Sequence, residues 1–360
     1  VTGDRRGFAL VAVLLVLLAV AALTTSMLGA AAREALVTRN AIEAAAARLA
    51  AVSALDLARA GWDAQAMSGM TPEEVRQLAW ADGSLADGTG HAASAERLDE
   101  HRYLLRAVGW TGGAPPPHAR TVARAGAIVQ ALDPDALARR FAVGVESPAG
   151  VHLTGTATLT PAPTDSSGCV EPVTSLRAPA DQVLIDPGAL LTGPVESDGA
   201  ASLHARFPSG LGFLDVAALH HLADRRTGST VVPTPSGLPC DTRVTGNWGD
   251  PAPGSPCAGF LPLISGSGSL HVAGGTGQGI LIVDGDLRLD GGAIFHGLIL
   301  ATGRVEVLDA SVTGSVVAGG GLLLQGEIAA SACAVRRALL GVAALQRAHP
   351  PAGRSRIPLF

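Results

Sequence analysis

The 360-residue chain has no lysine; all 26 of its basic residues are arginine. Aromatic residues make up only 3%, with one tyrosine, four tryptophans and seven phenylalanines. Conventional sandwich and α/β cores draw much of their buried area from aromatic side chains, so this scarcity points to a core of stacked aliphatics. A net charge of −5 and a pI near 6.1 leave out the basic footprint of a nucleic-acid-binding protein. Recognisable chemistry is also missing. There is no HExxH, no G-x-S-x-G and no lysine-bearing phosphate loop. His220 and His221 are adjacent, so on a helix they point to different sides and make no joint metal site. Asp284, Asp286 and Asp290 lack the spacing of a calcium-binding loop and read as turn formers, and GGTGQG (274–279) reads as a tight turn. Glycan-cleaving β-helices carry clustered acids on a groove, whereas Asp286, Asp290, Glu306 and Asp309 are few. The sequence offers no catalytic residue, no metal site and no cofactor.

Cysteine is rare as well. Cys169, Cys240, Cys257 and Cys333 all follow the first apolar segment. An even number in an exported domain favours disulfides, with three possible connectivities. Cys240 and Cys257 enclose a short Pro/Gly-rich loop, whose closure stabilises by roughly 3 kcal/mol in the chain-entropy model. If these two pair, Cys169 and Cys333 are left for each other.

What is abundant is apolar helix. VTGDRRGF opens the chain, Val1 reading as a GTG start, and residues 1–7 form a basic leader. From Phe8 to Ala32 no side chain is charged. That run is longer than the roughly 7–15 residues of a secretory signal and long enough to cross a bilayer. Arg5 and Arg6 before it place the N-terminus in the cytoplasm and send the remainder out. Residues 33–61 continue the helix with Ala, Leu, Arg and Glu, all strong helix formers. In this stretch Leu36, Ile42, Leu49, Val52 and Leu55 give one apolar side, and Arg39 and Glu43 stand four apart.

Residues 62–140 are mixed. Thr71 and Glu74 have capping-box spacing, while 101–110 and 119–132 read as strands or short helices around the loop GGAPPPH. Residues 279–326 overlie themselves on a shift of 18. Ile280, Leu298 and Val316 then align, as do Leu281, Ile299 and Val317. Leu287, Val305 and Leu323 make another column, Ile294 meets Val312, and Gly285 matches Gly303 and Gly321. Such a repeat reads as stacked coils of short strands. Segments 141–161, 182–195 and 262–275 are candidates for further strands without strict spacing. A competing reading is an antiparallel domain of short hairpins. In residues 336–360, ALLGVAALQRA reads as a helix capping the open end of the stack, followed by a frayed basic tail.

A short basic leader ending in Gly7, then Phe8, then a long apolar helix running into an Ala-rich amphipathic half, resembles type IV pilins and pseudopilins. GNWGDP, the repeat beginning GGTGQGILIVDGDLRLDGG and the final SACAV resemble the C-terminal part of proteins with a PilX-type pilus assembly N-terminal domain. The likeness covers the first sixty residues or so and roughly 141–335. It implies cleavage between Gly7 and Phe8 by a prepilin peptidase, methylation of the new N-terminus and retention of the helix. Where most major pilins carry a glutamate at the fifth mature position, this chain has Ala12. A carboxylate at that depth costs on the order of 2.5–3.5 kcal/mol; in the family it pairs with a neighbouring subunit's amine, a requirement this chain lacks.

The expected fold is therefore α+β. A transmembrane helix (8–32) continues as an amphipathic helix (33–61), followed by a mixed pilin-like region (62–140) and a β-rich, solenoid-like domain (141–335). The expected role is that of a minor pilin-like assembly subunit in a bacterial inner membrane, N-terminus inside, head in the periplasm or on a filament. Its partners are then other pilin subunits, met through the helix, and the prepilin peptidase. The alternatives are a membrane-anchored glycan-binding or carbohydrate-active β-helix protein and a pseudopilin like the large secretion-system tip subunit.

Overall fold

The computed structural model describes residues 6–84, 88–113, 115–162, 173–197, 210–237, 239–351 and 356–358. A single helix runs from Arg6 to Ala60, free of proline throughout, and stops at Gly61, whose N–H closes on the Leu57 carbonyl at 2.9 Å. Its last third lies on an antiparallel sheet of Gly90–Arg97, Arg102–Thr111 and Thr121–Gln130. Alternation along the middle strand turns Tyr103, Leu105, Ala107 and Gly109 toward the helix, whose buried side is Ala47, Ala50, Ala51, Ala54, Leu55 and Ala58. Small residues on both surfaces let helix and sheet approach closely. A Cβ on Gly109 would stand 2.1 Å from the Ala47 carbonyl oxygen. Just past the end of the helix, Trp62 meets Tyr103 edge-on at 4.9 Å.

Two sequence expectations change here. The capping-box contact forms, with the Thr71 N–H donating to Glu74 Oε2 at 2.8 Å, but no helix follows. Val75–Gln77 instead pairs antiparallel with Ser94–Glu96, and that ladder outcompetes a short helix headed by a β-branched residue. The apolar side drawn through Leu36, Ile42, Leu49, Val52 and Leu55 also divides. Leu55 is buried against the sheet, while Leu36, Ile42 and Leu49 are 60–68% exposed. The docked side of the helix is made of alanine.

The rest is a mostly-β domain whose strands pair in parallel in three columns. In the first column Arg225–Thr227, Leu263–Ser267, Thr276–Asp284, Ile294–Ala301 and Val305–Ala318 follow one another. The second contains Thr230–Val231, Leu270–Ala273, Leu287–Asp290, the start of Val305–Ala318 and Leu322–Ala330. The third is formed by the leading parts of the long strands, Ile294–Gly297 on Ser311–Gly314 on Glu327–Ala330. The chain then supplies the continuation from earlier in sequence. Val143–Glu146, Val151–Leu153 and Thr158–Pro161 pair onto the last of these strands, and Thr174–Arg177, Val183–Ile185 and Leu190–Leu191 pair onto them in turn.

The 18-residue shift holds once. Ile280 pairs with Leu298 and Leu287 with Val305. Beyond that the register shortens: Leu298 pairs with Ser315, Ile299 with Val316, Ile294 with Ser311 and Val305 with Leu322. The expected columns Leu298–Val316, Ile299–Val317, Ile294–Val312 and Val305–Leu323 are therefore one residue out. The cause is the corner between the second and third columns. It takes five steps from Leu289 to Ile294, four from Val307 to Ser311 and three from Leu324 to Glu327. Gly291 and Gly292 make the first corner with positive φ, and Asp309 alone (φ 47°) makes the second.

Inward aliphatics from the three columns, among them Val145, Leu153, Ile264, Leu281, Leu289, Ile299, Val307, Val316 and Ile328, form one buried core with Trp248 and Phe295. A second core lies on the outer side of the first column, where Leu263, Ile280, Ile282, Leu298, Leu300 and Val317 are covered by the helices Pro134–Arg140, Val216–Leu222 and Ala332–Gly341. The helix read as an end cap thus lies along the flank, because the end beyond Leu322–Ala330 is occupied by Val143–Pro161. The tail read as frayed contributes Arg356–Pro358, which pairs with Ala125–Ala127 of the antiparallel sheet.

Candidate assembly surface

The exposed part of the N-terminal helix is the most distinctive surface of the chain. Its first buried residue is Ala47. Residues 10–42 project free of the head for about 50 Å at the usual helical rise, more than the roughly 30 Å hydrocarbon core of a bilayer. The mean hydropathy reaches 2.6 in its most apolar window, long and apolar enough to cross a membrane. Leu10 to Leu28 expose large aliphatics all round, between 51% and 71%. Two of the three hydroxyls in the run are satisfied internally. Thr24 donates to the carbonyls of Val20 and Ala21, Thr25 donates to that of Ala21, and Ser26 stands beside them in sequence. A helix satisfies its own backbone in this way, which is why it can stand in hydrocarbon.

Beyond the uncharged run, Leu36, Val37, Ile42 and Leu49 continue the exposed apolar surface of the helix. At the junction with the head, Glu43 is gripped by two guanidinium groups, Arg39 Nε at 3.0 Å from the same helix and Arg120 Nη1 at 3.1 Å from the loop before Thr121–Gln130. The hydrogen bond from Arg39, followed by that from Arg120, holds the Glu43 carboxyl below its usual pKa. The i,i+4 pair legible in the sequence therefore has a third member 77 residues away, for which the sequence carries no local signal.

The structure places the residues named from sequence as follows. Gly7 and Phe8 have helical backbone in the first turn of Arg6–Ala60, and Ala12 lies exposed one turn on, inside the apolar run. Cys240 and Cys257 are joined by a disulfide at 2.06 Å, which closes the loop that seats buried Trp248. Asn247 beside it donates from Nδ2 to the Asp241 carbonyl at 2.9 Å. Cys333, at the start of the flank helix, is also disulfide-bonded; Cys169 lies outside the described residues. His220 contacts the Ser265 hydroxyl while His221 stays exposed, so the two histidines diverge.

The repeat's aspartates tie neighbouring strands together. Asp286 accepts from the Arg304 N–H at 2.8 Å, Asp284 from the Thr302 hydroxyl at 3.2 Å, and Asp290 sits between His271 (2.7 Å) and Arg288 (2.7 Å). Sequence reasoning missed the buried Glu146. It is clamped by Arg140 at 2.6 and 2.8 Å and by Arg177 at 3.1 Å, and joins a covering helix to two coils of the parallel sheet.

The chain matches no family model, no curated protein and no solved structure.

Proposed function

We propose that this protein is a minor pilin-like subunit that works by helix packing and by presenting its β-domain outward. The observation that carries the reading is the division of one 55-residue helix into a docked alanine face and a projecting half with apolar side chains on every side. Such a helix is held in the bilayer by its first half and offers other helices an apolar surface just outside it, at Leu36, Val37, Ile42 and Leu49. On this reading the N-terminus is cytoplasmic, the head periplasmic or on a filament, and Gly7–Phe8 is cut by a prepilin peptidase. The absence of an acid at position 12 suits a subunit that needs no partner amine at that depth. The parallel strands, with three columns and 16 to 18 residues between paired positions, support a β-solenoid as the displayed unit.

The test is the intact mass of the protein extracted from membranes, with and without an active prepilin peptidase. A methylated chain beginning at Phe8 only when the peptidase is present supports the reading. A chain that keeps its leader in both samples overturns it.

A second reading, glycan binding by a membrane-anchored β-domain, draws on a groove of about 490 Å³ lined by His271, Asp286, Arg288, Arg304 and Glu306. These side chains suit sugar hydroxyls. Chemical-shift or fluorescence titration with oligosaccharides decides it, and no response across glycan classes removes it.

A further inference from the structure

Both ends of the parallel stack expose unpaired strand edges among the described residues. At one end Val183–Ile185, Leu190–Leu191 and Val195–Glu196 are paired on one side only. At the other, the same holds for Arg225–Thr227 and Thr230–Val231. Natural sheets usually guard such edges with charge, proline or bulges. Here Asp186, Pro187, Pro194 and Glu196 at one end and Arg225, Arg226 and Pro233 at the other punctuate edges that are otherwise apolar. The large apolar side chains exposed in the described part of the β-domain are Leu184 (58%), Ile185 (48%), Leu190 (49%), Val195 (49%), Val232 (53%), Val244 (41%) and Ile294 (42%). All but Ile294 lie at the two ends.

The ends also differ in charge. The last coil carries Asp181, Asp186 and Glu196, of which Glu196 is paired with Arg177 at 2.8 Å and Asp186 stands 3.1 Å from His152. The first carries Arg225, Arg226 and Arg243 against Asp224 and Asp241. Every strand in the stack runs the same way along its column. A second copy placed last coil onto first coil by translation therefore continues the parallel ladder without reversing a strand. Joining two identical ends by a two-fold axis would instead run the edges antiparallel.

We propose that the β-domain stacks end to end with a second copy of this chain, the edge Val183–Glu196 of one copy against the edge Arg225–Val232 of the next. The contact is heterologous and does not close on itself, so it builds linear stacks. It uses residues separate from the helix surface and stands whether or not the pilin reading does.

The test uses the full chain in detergent micelles, followed by sedimentation and light scattering against protein concentration. Linear species are expected, weakened by salt because the facing charges are exposed. Leu184→Lys is expected to weaken association at least tenfold with unchanged circular dichroism and melting, since that side chain is already mostly exposed. Leu184→Cys and Val232→Cys variants are expected to cross-link when mixed, and neither with itself. Three results would each overturn the proposal: a monomer at all concentrations, Leu184→Cys cross-linking to itself, or association abolished by Ile42→Ser on the helix yet untouched by Leu184→Lys.

Discussion

Replacing Gly109 with alanine puts a methyl group where the N-terminal helix already stands. Its Cβ would lie 2.1 Å from the Ala47 carbonyl oxygen, 2.5 Å from the Ala51 nitrogen and 2.9 Å from the Ala50 methyl. Two of these neighbours are backbone, so no side chain can swing aside and the helix has to lift by about 1 Å to reach ordinary contact. Five alanines and Leu55 are buried on that face, worth about 6 kcal/mol at roughly 0.8 per methyl and about 2 for the leucine. A gap of 0.5–1 Å forfeits about a quarter to a half of such contacts. The expected loss is therefore about 1.5–3 kcal/mol, in the range usual for overpacking. Urea unfolding of the full chain in detergent, followed by tryptophan fluorescence beside the site at Trp110, measures it. Gly246→Ala is the control, because a Cβ there meets nothing within 4 Å, and it should fall within about 0.5 kcal/mol of the parent. If Gly109→Ala is as stable as the control, the helix is not held by close approach to the sheet.

Three further outcomes follow from the head. Glu146→Ala leaves two guanidinium groups facing an empty buried site, and a loss of about 3 kcal/mol or more should appear as a lower urea midpoint; a change under about 0.5 kcal/mol contradicts the clamp. Burial, then the nearby Arg337, depresses the His296 pKa, and burial also depresses that of His349. Both are protonated more readily unfolded than folded, so stability is full above about pH 6.5 and falls as pH drops through that value toward the lower folded pKa. Melting curves from pH 8 to 5 should show this fall, and His296→Asn should reduce it while the His349 share remains. The double variant Cys240→Ser/Cys257→Ser should lose about 3 kcal/mol and unseat Trp248, read as a red shift of its emission; an unchanged melting temperature in reductant argues against the loop's role.

The helix, its apolar run and the parallel repeat were legible because each is written locally. The uncharged stretch from Phe8 to Ala32 and the columns Ile280–Leu298 and Leu287–Val305 need only neighbouring residues to be seen. What escaped was set by corners and by distant partners. A rigid 18-residue ruler fails once Asp309 turns in one residue what Gly291 and Gly292 turn in two, and a slip of one residue exchanges inward for outward along a strand. Thr71 and Glu74 do make the contact of a helix start, but the strand Gly90–Arg97 takes the residues that follow. Glu43, Glu146 and the docked alanine face depend on Arg120, on Arg177 and on Gly109, and no window of sequence contains both partners.

The middle of the parallel stack is a seam between early and late parts of the chain. Val151 and Leu153 sit directly on Leu322 and Leu324, so the strands made first wait for a surface that emerges roughly 170 residues later. At the usual pace of synthesis that delay is about 9–34 s. During it Val143–Ile185 has no template, while the coils from Arg225 onward grow toward the seam one at a time. Completion therefore coincides with the arrival of Leu322–Ala330 near the end of the chain. A protein synthesised in this order does not finish its β-domain before nearly all of it has been made, and a chain truncated before Leu322 leaves its earliest strands without their place.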